Sequence, residues 1–163
     1  MRLKITAISH LRVLWFHISG SIMMLLALYF LDFEYNYVLS FGIMWLIYTL
    51  PAAWLHIEYW LKNQGMEFEM NNDGFIFLRN GKETKFTNEQ IDTISIYMPP
   101  SVYKGSSLKF IAIENYYFAR VNLKSGHVLT LTCLLTANLE DELRKISGVS
   151  IKRKKRLFCT TYL

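Results

Sequence analysis

The sequence predicts a membrane α-helical part followed by a soluble β part: a two-helix transmembrane hairpin, then a small antiparallel β-barrel with one late helix. Apolar runs at residues 13–31 and 38–61 predict the hairpin, because about 20 mainly apolar residues are enough to cross the hydrocarbon core of a bilayer. From residue 66 onward, apolar and polar residues alternate, which is typical of strands that bury one face.

The two apolar runs are nearly free of charge. The first has no charged residue between Arg12 and Asp32, and the second has none before Glu58. Lipid offers no hydrogen-bond partners to the backbone, so a spanning run has to be helical, and the short link between the runs favours antiparallel neighbours. A signal peptide has a shorter apolar region with a cleavage site, and a soluble helix has a polar face. Neither pattern occurs, and we interpret the runs as a transmembrane hairpin.

The charged residues predict the side of the membrane on which each part lies. The chain has 163 residues and a formal net charge of +5, yet the link carries two acidic residues, while Lys and Arg flank the outer ends of both runs. By the positive-inside rule, we expect a multi-pass membrane protein with both termini in the cytoplasm. The predicted domains are a cytoplasmic N-terminal segment (1–12), the hairpin (13–61), a cytoplasmic β-barrel domain (62–151) and a basic C-terminal tail (152–163).

After the hairpin, short strands and turns follow one another closely. We predict strands at residues 66–70, 75–79, 82–86, 91–98, 108–114, 116–123, 128–135 and 149–151. Asn80-Gly81 is a strong hairpin-turn signal, and Pro99-Pro100 ends a strand because proline cannot donate to a central ladder. Asn138 is placed to cap a helix over residues 138–147. So many short strands in a small domain predict a closed barrel, since closure removes exposed sheet edges.

The sequence lacks the motifs of catalysis and metal binding. It has no glycine-rich phosphate loop, no H-E-x-x-H zinc motif and no nucleophile elbow. The two cysteines, Cys133 and Cys159, have no histidine at metal-ligand spacing. We therefore predict that the protein is not an enzyme, needs no cofactor or metal and does not bind DNA. Cys133 lies in an apolar strand pattern and is expected in the core.

Two groups of polar and aromatic residues are candidate ligand contacts. The first group lies on one face of the strands at 116–123 and 128–135, and consists of Tyr116, Arg120, Thr130 and Thr132. An aromatic plate, a fixed cation and two hydroxyls suit a phosphorylated base, although a solvated sheet face would show the same residues. The second group lies beside the Pro99-Pro100 loop and consists of Tyr97, Tyr103 and Lys104.

A run of five basic residues is the strongest local charge feature. It consists of Lys152, Arg153, Lys154, Lys155 and Arg156. Because the hairpin already holds the domain near the membrane, we interpret the run as a contact with anionic lipid, where each basic side chain contributes about 1 kcal/mol. The alternative is a solvated basic tail.

Two families resemble this chain. Residues 66–147, and above all the stretch YFARVNLKSGHVLTLTCLLTANLEDELRKI at residues 117–146, look like a bacterial pleckstrin-homology-like domain: strand, Ser-Gly turn, strand and helix. The whole chain also resembles the two-transmembrane, β-strand-rich effectors of bacterial CBASS anti-phage operons. That resemblance implies a protein of the bacterial inner membrane whose barrel binds a cyclic oligonucleotide second messenger, forms a homo-oligomer and disrupts the membrane in anti-phage defence. The alternative is a non-lytic membrane scaffold whose pleckstrin-homology-like domain binds a protein or anionic lipid.

Overall fold

The computed structural model describes residues 2–71, 74–79, 81–106 and 111–162. Two long helices, α1 (Ala7–Phe30) and α2 (Tyr35–Asn63), extend from a domain made of two four-stranded sheets. A hydrogen bond joins the rings of His10 and His56 at the domain end of the pair, and Trp45 donates to Ser21 farther along it. The helices are therefore antiparallel neighbours, as predicted.

The first sheet, which we call the N-terminal sheet, has one strand before the helical hairpin in the sequence and three strands after it. Its strands are β1 (Arg2–Lys4), β2 (Met66–Asn71), β3 (Gly74–Arg79) and β4 (Lys82–Thr87), antiparallel and in sequence order. Leu3 of β1 pairs with Phe68 of β2, so the strands that precede and follow the hairpin are direct neighbours. The sequence indicated no strand before the first helix, because three residues are too few to show a periodicity.

The second sheet, which we call the C-terminal sheet, has the order β7-β6-β5-β8. Its strands are β5 (Ile91–Met98), β6 (Phe118–Leu123), β7 (Val128–Thr132) and β8 (Ser150–Lys155), with the short helices α3 (Pro100–Tyr103) and α4 (Leu139–Arg144) in the connections. Strand β8 pairs with β5 in parallel. Parallel neighbours need a crossover connection, and the segment with α4 provides it.

The closed antiparallel barrel was a wrong prediction. Within the described residues the strands form two separate sheets, and the β5–β8 pair is parallel. The strand expected at 108–114 does not form where it can be judged: residues 112–115 make a 3₁₀ turn, and residues 108–110 lie outside the described part of the chain. The last strand starts one residue after the predicted start and continues through the basic run as far as Lys155.

The main core lies between the two sheets and α4. Alternate residues of β5 and β6, among them Ile96 and Ala119, face this core, together with Phe68 of the N-terminal sheet and Leu139 of α4. All four are almost completely buried. The alternation that predicted these strands is therefore confirmed.

A second core covers the opposite side of the C-terminal sheet, which we call its outer face. Phe118 and Tyr97 on this face pack with Val13 of α1 and with Leu55 and Tyr59 of α2. Cys133 and Cys159 are buried in the same cluster as free thiols, and burial raises the pKa of the Cys159 thiol to about 12. The bases of the two helices thus pack on a face for which the sequence predicted either a ligand or solvent.

Gly74 is a glycine whose replacement should disturb the N-terminal sheet. Its φ is +149°, and a Cβ built there would overlap the carbonyl oxygen of Phe86 in the neighbouring strand. We expect Gly74→Ala to lower the free energy of unfolding by about 2–3 kcal/mol, seen as a lower apparent Tm of the full chain in detergent. The control is Gly42→Ala in α2, where no atom lies within 4 Å and helix propensity favours alanine. Equal Tm values for the two variants would contradict this packing.

Candidate ligand-binding site

The outer face of the C-terminal sheet presents its residues in rows across the strands. One row is Lys154–Tyr97–Phe118–Thr132, and the next is Lys152–Ser95–Arg120–Thr130. Strand pairing therefore brings together residues that belong to both predicted ligand groups and to the basic run. Side chains that are far apart in the sequence become neighbours because alternate residues of paired strands share one face.

Tyr97 lies at the centre of this face. Its ring stacks on Phe118, with centroids 4.8 Å apart and planes inclined by 13°. The cationic groups of Arg156, Lys154 and Arg120 lie 4.6, 5.2 and 5.5 Å from the centroid of the Tyr97 ring. We call these four residues, Tyr97, Arg120, Lys154 and Arg156, the Tyr97 cluster. Each cation is attracted to the electron-rich face of an aromatic ring, which holds positive charge close to Tyr97.

Arg120 also holds the C-terminal end of the chain. Its Nη2 donates a hydrogen bond of 2.7 Å to the carbonyl oxygen of Thr161. Thr161 belongs to residues 157–162, which we call the strap and which return from β8 to α2. Lys62 of α2 lies over the ring of Tyr162 at 4.8 Å. Arg120, which the sequence predicted to contact a ligand, therefore also makes a structural contact with the C-terminal end of the chain.

The strap is fixed to the base of α2 by buried groups. The carboxylate of Glu58 accepts hydrogen bonds from the Thr160 hydroxyl, at 2.9 Å, and from the backbone N–H of Thr161. The hydroxyl of Tyr59 donates to the carbonyl oxygen of Cys159 at 2.6 Å. These bonds satisfy a buried carboxylate, which would otherwise carry a large desolvation penalty. The strap thus joins the C-terminal sheet to the hairpin.

The structure encloses two of the residues predicted to contact a ligand. Tyr116 is 0% exposed, its hydroxyl lies 3.1 Å from Nδ1 of His56, and burial raises the pKa of its hydroxyl. Thr132 is also 0% exposed, and its backbone N–H donates to Oδ1 of Asn63. Neither ring nor hydroxyl has a surface on which a ligand could lie. Thr130 is half-buried, and its carbonyl oxygen accepts from Nδ2 of Asn63.

The second predicted group is divided by the fold. Tyr97 joins the outer face, whereas Tyr103 ends α3 and Lys104 follows it, both exposed. Among the described residues, the side chains of Tyr103 and Lys104 make no hydrogen bond and no ring contact. The structure therefore brings Tyr97 together with Arg120 and leaves Tyr103 and Lys104 apart from them.

The basic run is divided between the two faces of an edge strand. Lys152 and Lys154 lie on the outer face, whereas Arg153 points toward α4 and forms an ion pair of 2.6 Å with Glu140. Burial opposes ionisation of Glu140, but hydrogen bonds from Arg153 and Arg144 outweigh it and lower the pKa of this carboxyl. Lys155 stays exposed. The run is part of the sheet, so its five charges have different neighbours.

A cavity of about 400 Å³ opens beside Thr130, between β7, the N-terminal sheet and the end of α2. Lys62 and Arg79 contribute its cations, and Phe77 and Tyr162 contribute aromatic walls. Sequence reasoning missed Lys62, Arg79 and the Asn63 contacts to β7. Nothing in the sequence indicated them, because they depend on where the end of α2 meets the sheets.

The model of a family described as PH domain matches residues 2–141. The matched stretch includes the N-terminal sheet, both long helices and strands β5 to β7, and it ends within α4. Strand β8 and the strap lie outside it. A search of curated proteins gives no match.

Removing the Glu58 carboxylate should release the strap. In Glu58→Ala, the Thr161 N–H loses its acceptor, and we expect its hydrogen exchange in the full chain to become about 100-fold faster, since a hydrogen bond to a charged group contributes about 1.5–3 kcal/mol. Glu58→Gln keeps an acceptor oxygen, so the exchange rate of the Thr161 N–H in this variant should lie between those of the original chain and of Glu58→Ala. The control is Glu89→Ala at an exposed carboxylate. Unchanged exchange in Glu58→Ala would contradict the role of this residue.

Proposed function

The chain belongs to the PH domain family, and we propose that it is a membrane-anchored binding module whose hairpin spans the bilayer and whose PH domain binds a protein or lipid partner at the cytoplasmic surface. It acts by binding and not by catalysis. The observation that carries this proposal is the exposed apolar length of the two helices, which is close to the thickness of a bilayer core.

Within the described part of the chain, the two helices contact the domain at their bases. Val13 of α1 and Ala52, Leu55 and Tyr59 of α2 are buried against the domain. Beyond them, residues 14–31 and 35–51 carry large exposed apolar side chains. At 1.5 Å per residue these stretches are about 25 Å long, close to the roughly 30 Å hydrocarbon core of a bilayer.

Both helices are long and apolar enough to cross a membrane, and only 11% of each apolar window is buried in the chain. A core helix of a soluble domain would bury most of such a window. Placing these surfaces in lipid removes from water an apolar area far larger than the patches that soluble monomers expose. This burial is the physical reason to favour a spanning hairpin.

The connectivity of the N-terminal sheet favours a position of the two helix bases on the same side of the membrane. Because β1 pairs with β2, the chain enters and leaves the hairpin at one point of the domain. Arg12 and Lys62 lie at these bases, and Asp32 and Glu34 lie in the link, which favours a cytoplasmic domain and an external link. Lys152 and Lys154, on the outer face, would then face the anionic leaflet.

A second candidate function is the ligand-gated effector. The Tyr97 cluster favours it, because an aromatic ring with adjacent cations suits the phosphates and bases of a cyclic oligonucleotide. Tyr116 is enclosed, and Tyr97 is 7% exposed with its ring stacked on Phe118, so in this proposal the ligand would contact the cations around Tyr97 instead of stacking on an open ring. In this proposal the bound messenger promotes self-association of the hairpins, and the homo-oligomer disrupts the bilayer.

Cysteine labelling in intact cells tests the spanning hairpin. Cys133 and Cys159 are 2% and 1% exposed, so we expect little labelling of the unmodified chain. A membrane-impermeant maleimide should label Asn36→Cys from outside, and Lys104→Cys only after the cells are permeabilised. Labelling of Lys104→Cys in intact cells, with Asn36→Cys protected, would contradict the proposed orientation.

Dye entry tests the effector. Cells that express the chain with a cyclic-dinucleotide-producing enzyme should admit an impermeant dye, whereas Arg120→Ala or removal of the hairpin should keep them sealed. Lys104→Ala removes an exposed cation outside the Tyr97 cluster and is the matched control. If the original chain leaves cells sealed with a panel of cyclic di- and trinucleotides, the effector is excluded and the binding module remains.

A further inference from the structure

We propose that the Tyr97 cluster is a binding site for a phosphate group, held by Arg156, Lys154 and Arg120 on the outer face of the C-terminal sheet. The inference rests on the proposed membrane-anchored binding module, to which it adds a ligand chemistry and a place. Lys154 and Arg156 lie outside the residues matched by the PH domain family, so the site is built in part by β8 and the residue that follows it.

The charge balance of the cluster is the first argument. Three cations lie within 5.5 Å of one ring centroid, and within the described part of the chain none of them forms an ion pair with a carboxylate. Like charges held close together repel each other, and the attraction to Tyr97 offsets this only in part. A dianionic group bound between them would turn this repulsion into attraction.

Unpaired polar atoms give a second, independent argument. Nη1 of Arg156 is buried and has no hydrogen-bond partner among the described residues, and the same is true of Oγ1 of Thr161. Thr161 is itself only 5% exposed. Arg120 connects the two, because it bonds the Thr161 carbonyl and shares the Tyr97 ring with Arg156. A buried donor without an acceptor is costly, and a phosphate oxygen is the acceptor that a guanidinium fork fits best.

The place of the cluster favours the phosphate of a lipid headgroup. Tyr59 near the end of α2 contacts Phe118 at a centroid distance of 6.2 Å, and Phe118 stacks on Tyr97. The site is therefore two ring contacts away from a helix that enters the bilayer. Lys62 and Arg79, at the cavity beside Thr130, are the rival pair of cations.

Thermal unfolding of the full chain in a non-ionic detergent tests the site. The probes are dioctanoyl phosphatidic acid, dioctanoylglycerol with the same chains but no phosphate, and inorganic phosphate. At 100 times Kd we expect phosphatidic acid to raise the apparent Tm by about 5–10 °C and dioctanoylglycerol to leave it unchanged. The gain should vanish in Arg156→Gln/Lys154→Gln and persist in Lys62→Gln/Arg79→Gln, which removes the same charge.

Lys154→Gln alone is the second variant, because the side chain is exposed and its loss should leave the fold intact. It should weaken phosphatidic acid binding about tenfold. A similar gain with inorganic phosphate, lost in the same double variant, would support the site and identify free phosphate as its ligand. No gain, an equal gain in both double variants, or a loss only in Lys62→Gln/Arg79→Gln would overturn the site. Cysteine labelling is independent of these results, so the membrane anchor can fail or succeed separately.

Discussion

The pairing of β1 with β2 is the constraint on which the rest of the structure depends. Leu3 and Phe68 face each other in the ladder and are both buried in the core, although the whole hairpin lies between them in the sequence. The entropy cost of closing such a loop grows only slowly with its length. Because α1 and α2 return antiparallel, they bring the loop ends together and reduce this cost further. The pairing fixes both helix bases on one domain.

The position of the helix bases decides what the C-terminal sheet can do. Leu55 and Tyr59 cover the part of the outer face around Phe118, and Glu58 binds the strap above Arg120. The ring of Tyr97 is buried in the same cluster, and cations from β6, from β8 and from the residue that follows β8 meet beside it. Without the helix bases this sheet face would be solvated. Here it connects the hairpin to the Tyr97 cluster, close to the proposed membrane surface.

Periodicity identified the elements but not the way they assemble. Local sequence pattern predicted the two helices, the alternating strands β5 and β6 and the late helix. Each of these elements shows in the sequence either a periodic apolar face or a long apolar run. Closure of a barrel was inferred from the need to cover strand edges. The chain instead adds β8 in parallel through a crossover, and this edge strand carries the basic run. The parallel pairing of β8 with β5 cannot be recognised from the local sequence, because a strand of charged residues shows no apolar alternation.

The sequence by itself determined that two helices of membrane-spanning length precede a strand-rich domain, that the domain resembles the PH family, and that Arg120 and the basic run were candidates for an anionic ligand. Only the tertiary structure decided which of these residues meet. It buried Tyr116 and Thr132, separated Tyr103 and Lys104 from Tyr97, and placed Arg156 over the Tyr97 ring. The physical reason is that burial and cation–π contact depend on cross-strand register and on helix docking between segments far apart in the chain, and neither leaves a periodic signal in the sequence.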